Sequence, residues 1–249
     1  ILTFRKQWRE TLKAFASPRM TMLLGFSAAV IAGNWLLYVW AVASEHILQA
    51  SLGYYINPLM FVAAGVFVLK EKLNRAQITA VALAALGVCV LTFGAGVFPW
   101  VSLVLALSFT AYGYVRKMLD IGGMPGLFIE TALLSPFALV FLIWFSQAQG
   151  LAFGQGDIGM DALLILAGPV TVVPLLLFAL AARRLRFSTL GFLQYIGPTG
   201  QFFLGLYYGE PFTPYHAVCF GLIWTALAIF SLDAVRQNRR MRAAARQPV

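Results

Sequence analysis

The sequence predicts an all-α integral membrane protein, with about eight transmembrane helices visible. Three observations predict it. The 249 residues are 61% hydrophobic and only 11% charged, against about 25% charged for a soluble domain, and the mean hydropathy is +0.82. Eight apolar segments each approach the roughly 20 residues that cross a bilayer. All 18 Lys and Arg residues fall in alternate connections between those segments. Cytoplasmic loops retain Lys and Arg, so the asymmetry sets an orientation as well as a fold class.

The spans are placed at 21–43, 47–69, 77–95, 98–116, 124–145, 160–182, 188–208 and 214–234. Residues 1–20 read as the tail of a helix whose beginning is missing, followed by a basic cytoplasmic loop carrying Arg5, Lys6, Arg9, Lys13 and Arg19. The connection after the first span holds Glu45 and His46 and no cation, so it is outward. Lys70, Lys72 and Arg75 return the chain to the inside before 77–95, whose Ala80, Ala82, Ala84, Ala85 and Gly87 suit close helix packing. Trp100 opens 98–116 at an interface, and Arg116 and Lys117 close it on the inside. Span 124–145 contains Glu130 and Pro136. Asp157 and Asp161 mark the outward end of 160–182, and Arg183, Arg184 and Arg186 its inward end. Glu210, Tyr208 and Tyr215 lie at the outward connection before 214–234, and 235–249 is a basic cytoplasmic tail.

An internal repeat runs through this order. Ser51-Leu52-Gly53-Tyr54-Tyr55 leads to Asn57-Pro58 and then Glu71, while Thr189-Leu190-Gly191-Phe192 leads to Gly197-Pro198 and then Glu210. Glu71 falls in an inward loop and Glu210 in an outward one, the inversion that an odd number of helices per repeat produces. With a unit of five helices, residues 21–95 are the remainder of a first repeat and 98–234 a second. Inverted repeats of this kind hold substrate near the midplane in secondary transporters.

The +9 net charge is spread over five short stretches rather than one patch. That excludes nucleic acid as a partner and favours anionic lipid at the cytoplasmic face. Cys89 and Cys219 sit in apolar runs without paired spacing and read as small core residues. No metal-ligand set, no catalytic cluster and no Walker-type loop appears, so no cofactor and no enzymatic role are expected. His46 and His216 are expected at the outer face.

Glu130 is an acid deep in a predicted span, roughly 9 Å along its helix from Met124. An ionised group at depth is costly and is usually functional or paired. The functional reading gives it a proton or a cationic solute; the alternative is a residue that snorkels or caps. Asn34, Asn57 and Gln194 are amides within spans, suited to interhelical bonding or to a solute. Asn57 and Gln194 stand just before Pro58 and Pro198, whose rings free a carbonyl one turn earlier. Helix breaks at matching positions of two repeats mark a binding site, with Tyr54 and Tyr195 beside them.

Gly33-Asn34-Trp35-Leu36-Leu37-Tyr38 and Leu52-Gly53-Tyr54-Tyr55-Ile56-Asn57-Pro58, with Leu193-Gln194-Tyr195-Ile196-Gly197-Pro198-Thr199, resemble the RarD-type branch of the EamA drug/metabolite transporters. The resemblance runs nearly end to end. It implies ten helices in two inverted repeats with both termini cytoplasmic, of which this chain lacks the first two. It also implies export of a drug or metabolite from the cell across the inner (plasma) membrane. The expected function is secondary transport of a small organic solute by alternating access, with protons as a coupling partner and a homodimer left open. The alternatives are a non-transporting membrane fragment or regulatory partner, and, behind these, a membrane enzyme.

Overall fold

A computed structural model describes residues 7–44, 46–94, 96, 98–151, 153–207 and 213–244. Arg5, Lys6, Glu45, Tyr208 and Glu210 of the sequence reading lie outside them. Ten helices follow in order: α1 (Trp8–Phe15), α2 (Pro18–Ala43), α3 (Ile47–Phe67), α4 (Arg75–Gly94), α5 (Trp100–Met118), α6 (Gly123–Gln149), α7 (Ile158–Arg184), α8 (Phe187–Gln194), α9 (Ile196–Tyr207) and α10 (Pro214–Ala244). The fold is that of an all-α, multi-pass membrane protein.

Among the described residues, six helices are long and apolar enough to span: Pro18–Ala43, Gln49–Phe67, Arg75–Gly94, Gly123–Ala148, Ile158–Arg184 and Pro214–Gln237. Two of the eight predicted spans differ. Helix α5 is continuous over 19 residues, but Arg116 and Lys117 in its last turn dilute its apolar content. The predicted span 188–208 is two helices, broken at Tyr195. Pro198 explains the break, since it has no N–H for the Gln194 carbonyl and its ring crowds that carbonyl. The ladder therefore tightens at Tyr195, whose N–H donates to the Phe192 carbonyl at 3.2 Å. Pro198 then stands in the first turn of α9, where a missing N–H costs little. Pro58 acts differently from the expected break: α3 runs through it without interruption.

The residues form two compact units, 1–33 with 111–184 and 34–110 with 185–249. Each draws a segment from both repeats that the sequence predicts. In the first unit, Leu24, Leu119, Ile121 and Ile129 form the core. Trp8 of α1 meets Phe128 of α6 edge to face at 5.4 Å, and the Glu10 carboxylate accepts the Gly122 N–H at 2.5 Å. The outer parts of α6 and α7 present Phe137, Phe141, Trp144, Leu163 and Val170 as exposed surface, suited to lipid.

In the second unit, Ala80, Ala84, Gly87, Val88 and Leu91 lie on one face of α4 and pack against α10. A Cβ on Gly87 would stand 3.0 Å from the Cys219 carbonyl oxygen, so the small-residue face brings two backbones together. The Asn74 and Gln77 amides both donate to Asp233 of α10, at 2.7 and 3.1 Å, which fastens one end of that pair. Cys219 is buried there as expected, whereas Cys89 is exposed because it lies on the opposite side of α4.

Candidate functional site

The second unit contains a tight seam between α3 and α8. Its closeness is written into Gly191, where a Cβ would stand 2.6 Å from the Pro58 carbonyl oxygen and 3.0 Å from Phe61 Cβ. The Phe61 and Phe187 rings meet across it at 4.5 Å. At one end of the seam, Glu71 caps α8. Its carboxylate accepts the Phe187 N–H at 2.6 Å, the Ser188 N–H at 3.0 Å and the Ser188 hydroxyl at 2.7 Å. Lys70, in the left-handed region at φ 56°, turns the chain so that Glu71 reaches this position.

Burial pushes the Glu71 carboxyl up, but the Ser188 and Phe187 hydrogen bonds and the Arg186 guanidinium outweigh it and hold the group below its ordinary value. A lowered carboxyl favours the folded state above its unfolded pKa, and that contribution disappears as pH falls through the lowered value. Glu71→Ala is therefore expected to cost about 1 kcal/mol at neutral pH, as for loss of a helix cap. The gap to the parent chain should narrow in acid, as measured by thermal unfolding in detergent across a pH series.

Above the cap, the Asn57 side chain donates from Nδ2 to Gln194 Oε1, joining the two amides that the repeat places beside Pro58 and Pro198. Asn57 Oδ1, Gln194 Nε2 and the Tyr195 hydroxyl are buried without hydrogen-bond partners. Either orientation of the paired amides leaves one donor and one acceptor over, because each carries both. Two backbone carbonyls add to the set: Pro58 and Pro198 withhold the N–H groups that Tyr54 and Gln194 carbonyls would otherwise receive. Beyond the break α9 has far less contact with α3 than α8 has, and Ile196, Phe203 and Leu204 are exposed. The seam is closed at the end bearing Glu71 and loosens past Tyr195.

The other amide and aromatic candidates are placed apart from this bond. Asn34 Nδ2 donates to the Leu105 carbonyl at 2.9 Å and the Ser108 hydroxyl at 2.8 Å, tying α2 to α5. Tyr54 is 39% exposed and meets Tyr38 edge to face at 5.9 Å. Tyr195 is buried in the core and packs by Phe192, with ring centroids 6.3 Å apart. His46 stacks on Trp40 at 5.2 Å, and the His216 ring is bonded to Thr213.

The first unit holds the remaining candidate. Glu130 is 2% exposed and has a cation beside it, Arg116 Nη1 at 3.6 Å from Oε1. The Ser27 hydroxyl donates to the same oxygen at 2.8 Å, and the Tyr112 side chain interacts with the carboxylate. Arg116, read from sequence as a loop cation, is instead 1% exposed in the last turn of α5. Gly126 makes room for it, since a Cβ there would overlap the guanidinium. The burial of Arg116 beside Glu130 and the capping of α8 by Glu71 are two arrangements the sequence reading missed. The available signal for Arg116 was the glycine spacing of Gly122, Gly123 and Gly126 ahead of Glu130.

Residues 1–93 match the EamA-like transporter family. Protein RarD of Escherichia coli (strain K12) is 44% identical over 241 residues, covering 96% of this chain and 81% of the relative. A Vibrio cholerae protein named only as an uncharacterized transporter is 43% identical over 240 residues, covering 96% and 80%. A solved crystal structure superposes with a TM-score of 0.63 at 18% identity, over 89% of this chain and 78% of that one, a likeness of fold.

Proposed function

The chain belongs to the RarD-type branch of the EamA-like transporter family, and from that premise we propose a secondary transporter that moves a small organic solute by alternating access. Export from the cell is the proposed direction, the inner (plasma) membrane the proposed location and a cytoplasmic C-terminus the proposed orientation. The observation that carries the reading is the Asn57–Gln194 amide bond at the Pro58 and Pro198 positions. It sits where a closed, glycine-tight seam gives way to a looser one, and it leaves polar atoms buried without partners.

Such atoms are costly in an apolar surrounding unless a second state or a solute satisfies them. Opening the seam would break the amide bond and offer two amides and two free carbonyls to a polar solute. Tyr54 and Tyr195 supply aromatic surface and hydroxyls near the two prolines. The helix break at Tyr195, beside Pro198, supports this assignment on general grounds, while α3 passes Pro58 unbroken.

The test is counterflow of a labelled drug and metabolite panel in proteoliposomes. Asn57→Ala and Gln194→Ala should each lower the rate about tenfold or more, the factor for about 1.4 kcal/mol, with the helical content unchanged. The exchanged pair, Asn57→Gln with Gln194→Asn, should recover part of it. Parent-like rates in both alanine variants would sink the assignment.

A further inference from the structure

Glu130 and Arg116 form a buried pair that is incompletely bonded. Arg116 Nη2 donates to the Gly123 carbonyl at 2.9 Å, but Nε and Nη1 donate to nothing in hydrogen-bond geometry, and the Glu130 carboxylate is met by the Ser27 hydroxyl and the Tyr112 side chain rather than by the guanidinium fork. The closest approach of the two charges is 3.6 Å, longer than a charge-assisted hydrogen bond. Both side chains are at least nine-tenths buried. A guanidinium has five N–H donors in a planar fork suited to carboxylates. Here the fork is only partly used, and the carboxylate that half-occupies it belongs to the protein.

The two members are not equally fixed. The Gly123 carbonyl and the close fit against Gly126 hold Arg116, which stays charged at any ordinary pH. Glu130 can be neutralised by one proton. The groups facing it are Arg116 and Tyr112 from α5 and Ser27 from α2. Of the helices packed on α6, α1 directs Glu10 to the Gly122 N–H, and α7 directs Arg183 to Asp120 and the Ile121 carbonyl. Lys117 is spent on the Ala182 carbonyl. A cationic solute at Glu130 would have to displace Arg116, so the fixed charge selects for an anion.

We propose that Arg116 is an anion-selecting site covered by Glu130, and that protonation of Glu130 lets a carboxylate solute take its place. The balance is simple. The Glu130 carboxylate takes one proton and becomes a neutral carboxyl. Arg116 keeps its positive charge and binds one monovalent carboxylate. One proton and one anion are taken up together, and the net charge of the site is unchanged. This inference rests on the transporter reading and gives that reading a solute class and a coupling ion.

The probe is labelled benzoate, with benzamide as its uncharged counterpart, in equilibrium binding to the full chain in nanodiscs. For the parent chain, benzoate affinity should fall about tenfold per pH unit above the Glu130 titration, as one-proton linkage requires. Glu130→Gln should bind benzoate at mildly alkaline pH as tightly as the parent does in acid, without pH dependence. Arg116→Gln combined with Glu130→Gln removes both charges, which keeps the pair neutral and the fold intact, and should bind no benzoate at any pH. Benzamide binding should not change across this set. A pH-dependent Glu130→Gln, or benzoate binding by the double variant, overturns the anion site.

Flux of the solute panel is followed with the same proteins in vesicles. Flux of other solutes without this binding pattern overturns the anion site and leaves the transporter reading standing. The binding pattern without any flux, benzoate included, supports Arg116 as an anion site and overturns the transporter reading.

Discussion

Arg116→Met alone is expected to cost about 3–5 kcal/mol of stability, because it strands the Glu130 charge in a dry core. Replacing both members, Arg116→Met with Glu130→Leu, is expected to leave stability unchanged or raise it by about 1–4 kcal/mol, since a buried ion pair often fails to repay its desolvation. Denaturant unfolding in detergent followed by circular dichroism reads both values, and the double-mutant cycle isolates the coupling. Arg116 is 1% exposed and sits 3.6 Å from its partner, so a loss below about 0.5 kcal/mol for the single variant, the range of ordinary surface positions, would show that the pair is not buried as described.

The second large effect is at the seam. Gly191→Val is expected to push α8 from α3, because the first added carbon already stands 2.6 Å from the Pro58 carbonyl oxygen. Overpacking of this kind costs about 1–3 kcal/mol, and the nearest atom is backbone, which cannot rotate aside. The same variant should lose flux if the seam closes during each cycle. Gly221→Ala is the contrast. Nothing lies within 4 Å of an added Cβ there, and relief of unfolded-state entropy should stabilise α10 by about 0.4–1 kcal/mol. Thermal unfolding of the two variants side by side checks the difference in sign.

The long spans were legible because lipid imposes one requirement along the whole segment, namely backbone bonds satisfied within it and apolar side chains outside. The small-residue character of α4 was legible, since Ala80, Ala82, Ala84, Ala85 and Gly87 crowd one span, but only the structure shows that Ala80, Ala84 and Gly87 are the ones buried on the α10 side. The α8–α9 division was half legible. Pro198 announced trouble, but the break falls three residues earlier at Tyr195, since a proline disturbs the carbonyl of the preceding turn. Pro58 presented the same signal and α3 absorbed it, so the residue type alone does not decide between a kink and a break.

The Asn57–Gln194 bond joins residues far apart in the chain, and only the repeated Leu-Gly-aromatic and Pro pattern suggested that the two amides share a place. The Glu130 neighbourhood was the least legible. Ser27 and Arg116 come from two other helices, and a lone Arg beside a Lys at a helix end looks like a loop cation. Its burial depends on Gly126, one turn before Glu130, whose missing side chain leaves the space the guanidinium fills. Glu71 likewise looked like a loop acid among cations, and its role as the cap of α8 required a chain reversal at Lys70.

The most direct test of the central claim, that this chain is a transporter, is initial-rate uptake of the labelled panel into oriented proteoliposomes under an imposed pH gradient. The account predicts saturable, gradient-sensitive flux of at least one organic solute, abolished in protein-free vesicles and lowered in Asn57→Ala. Folded, inserted protein that moves no solute above the protein-free rate would contradict it.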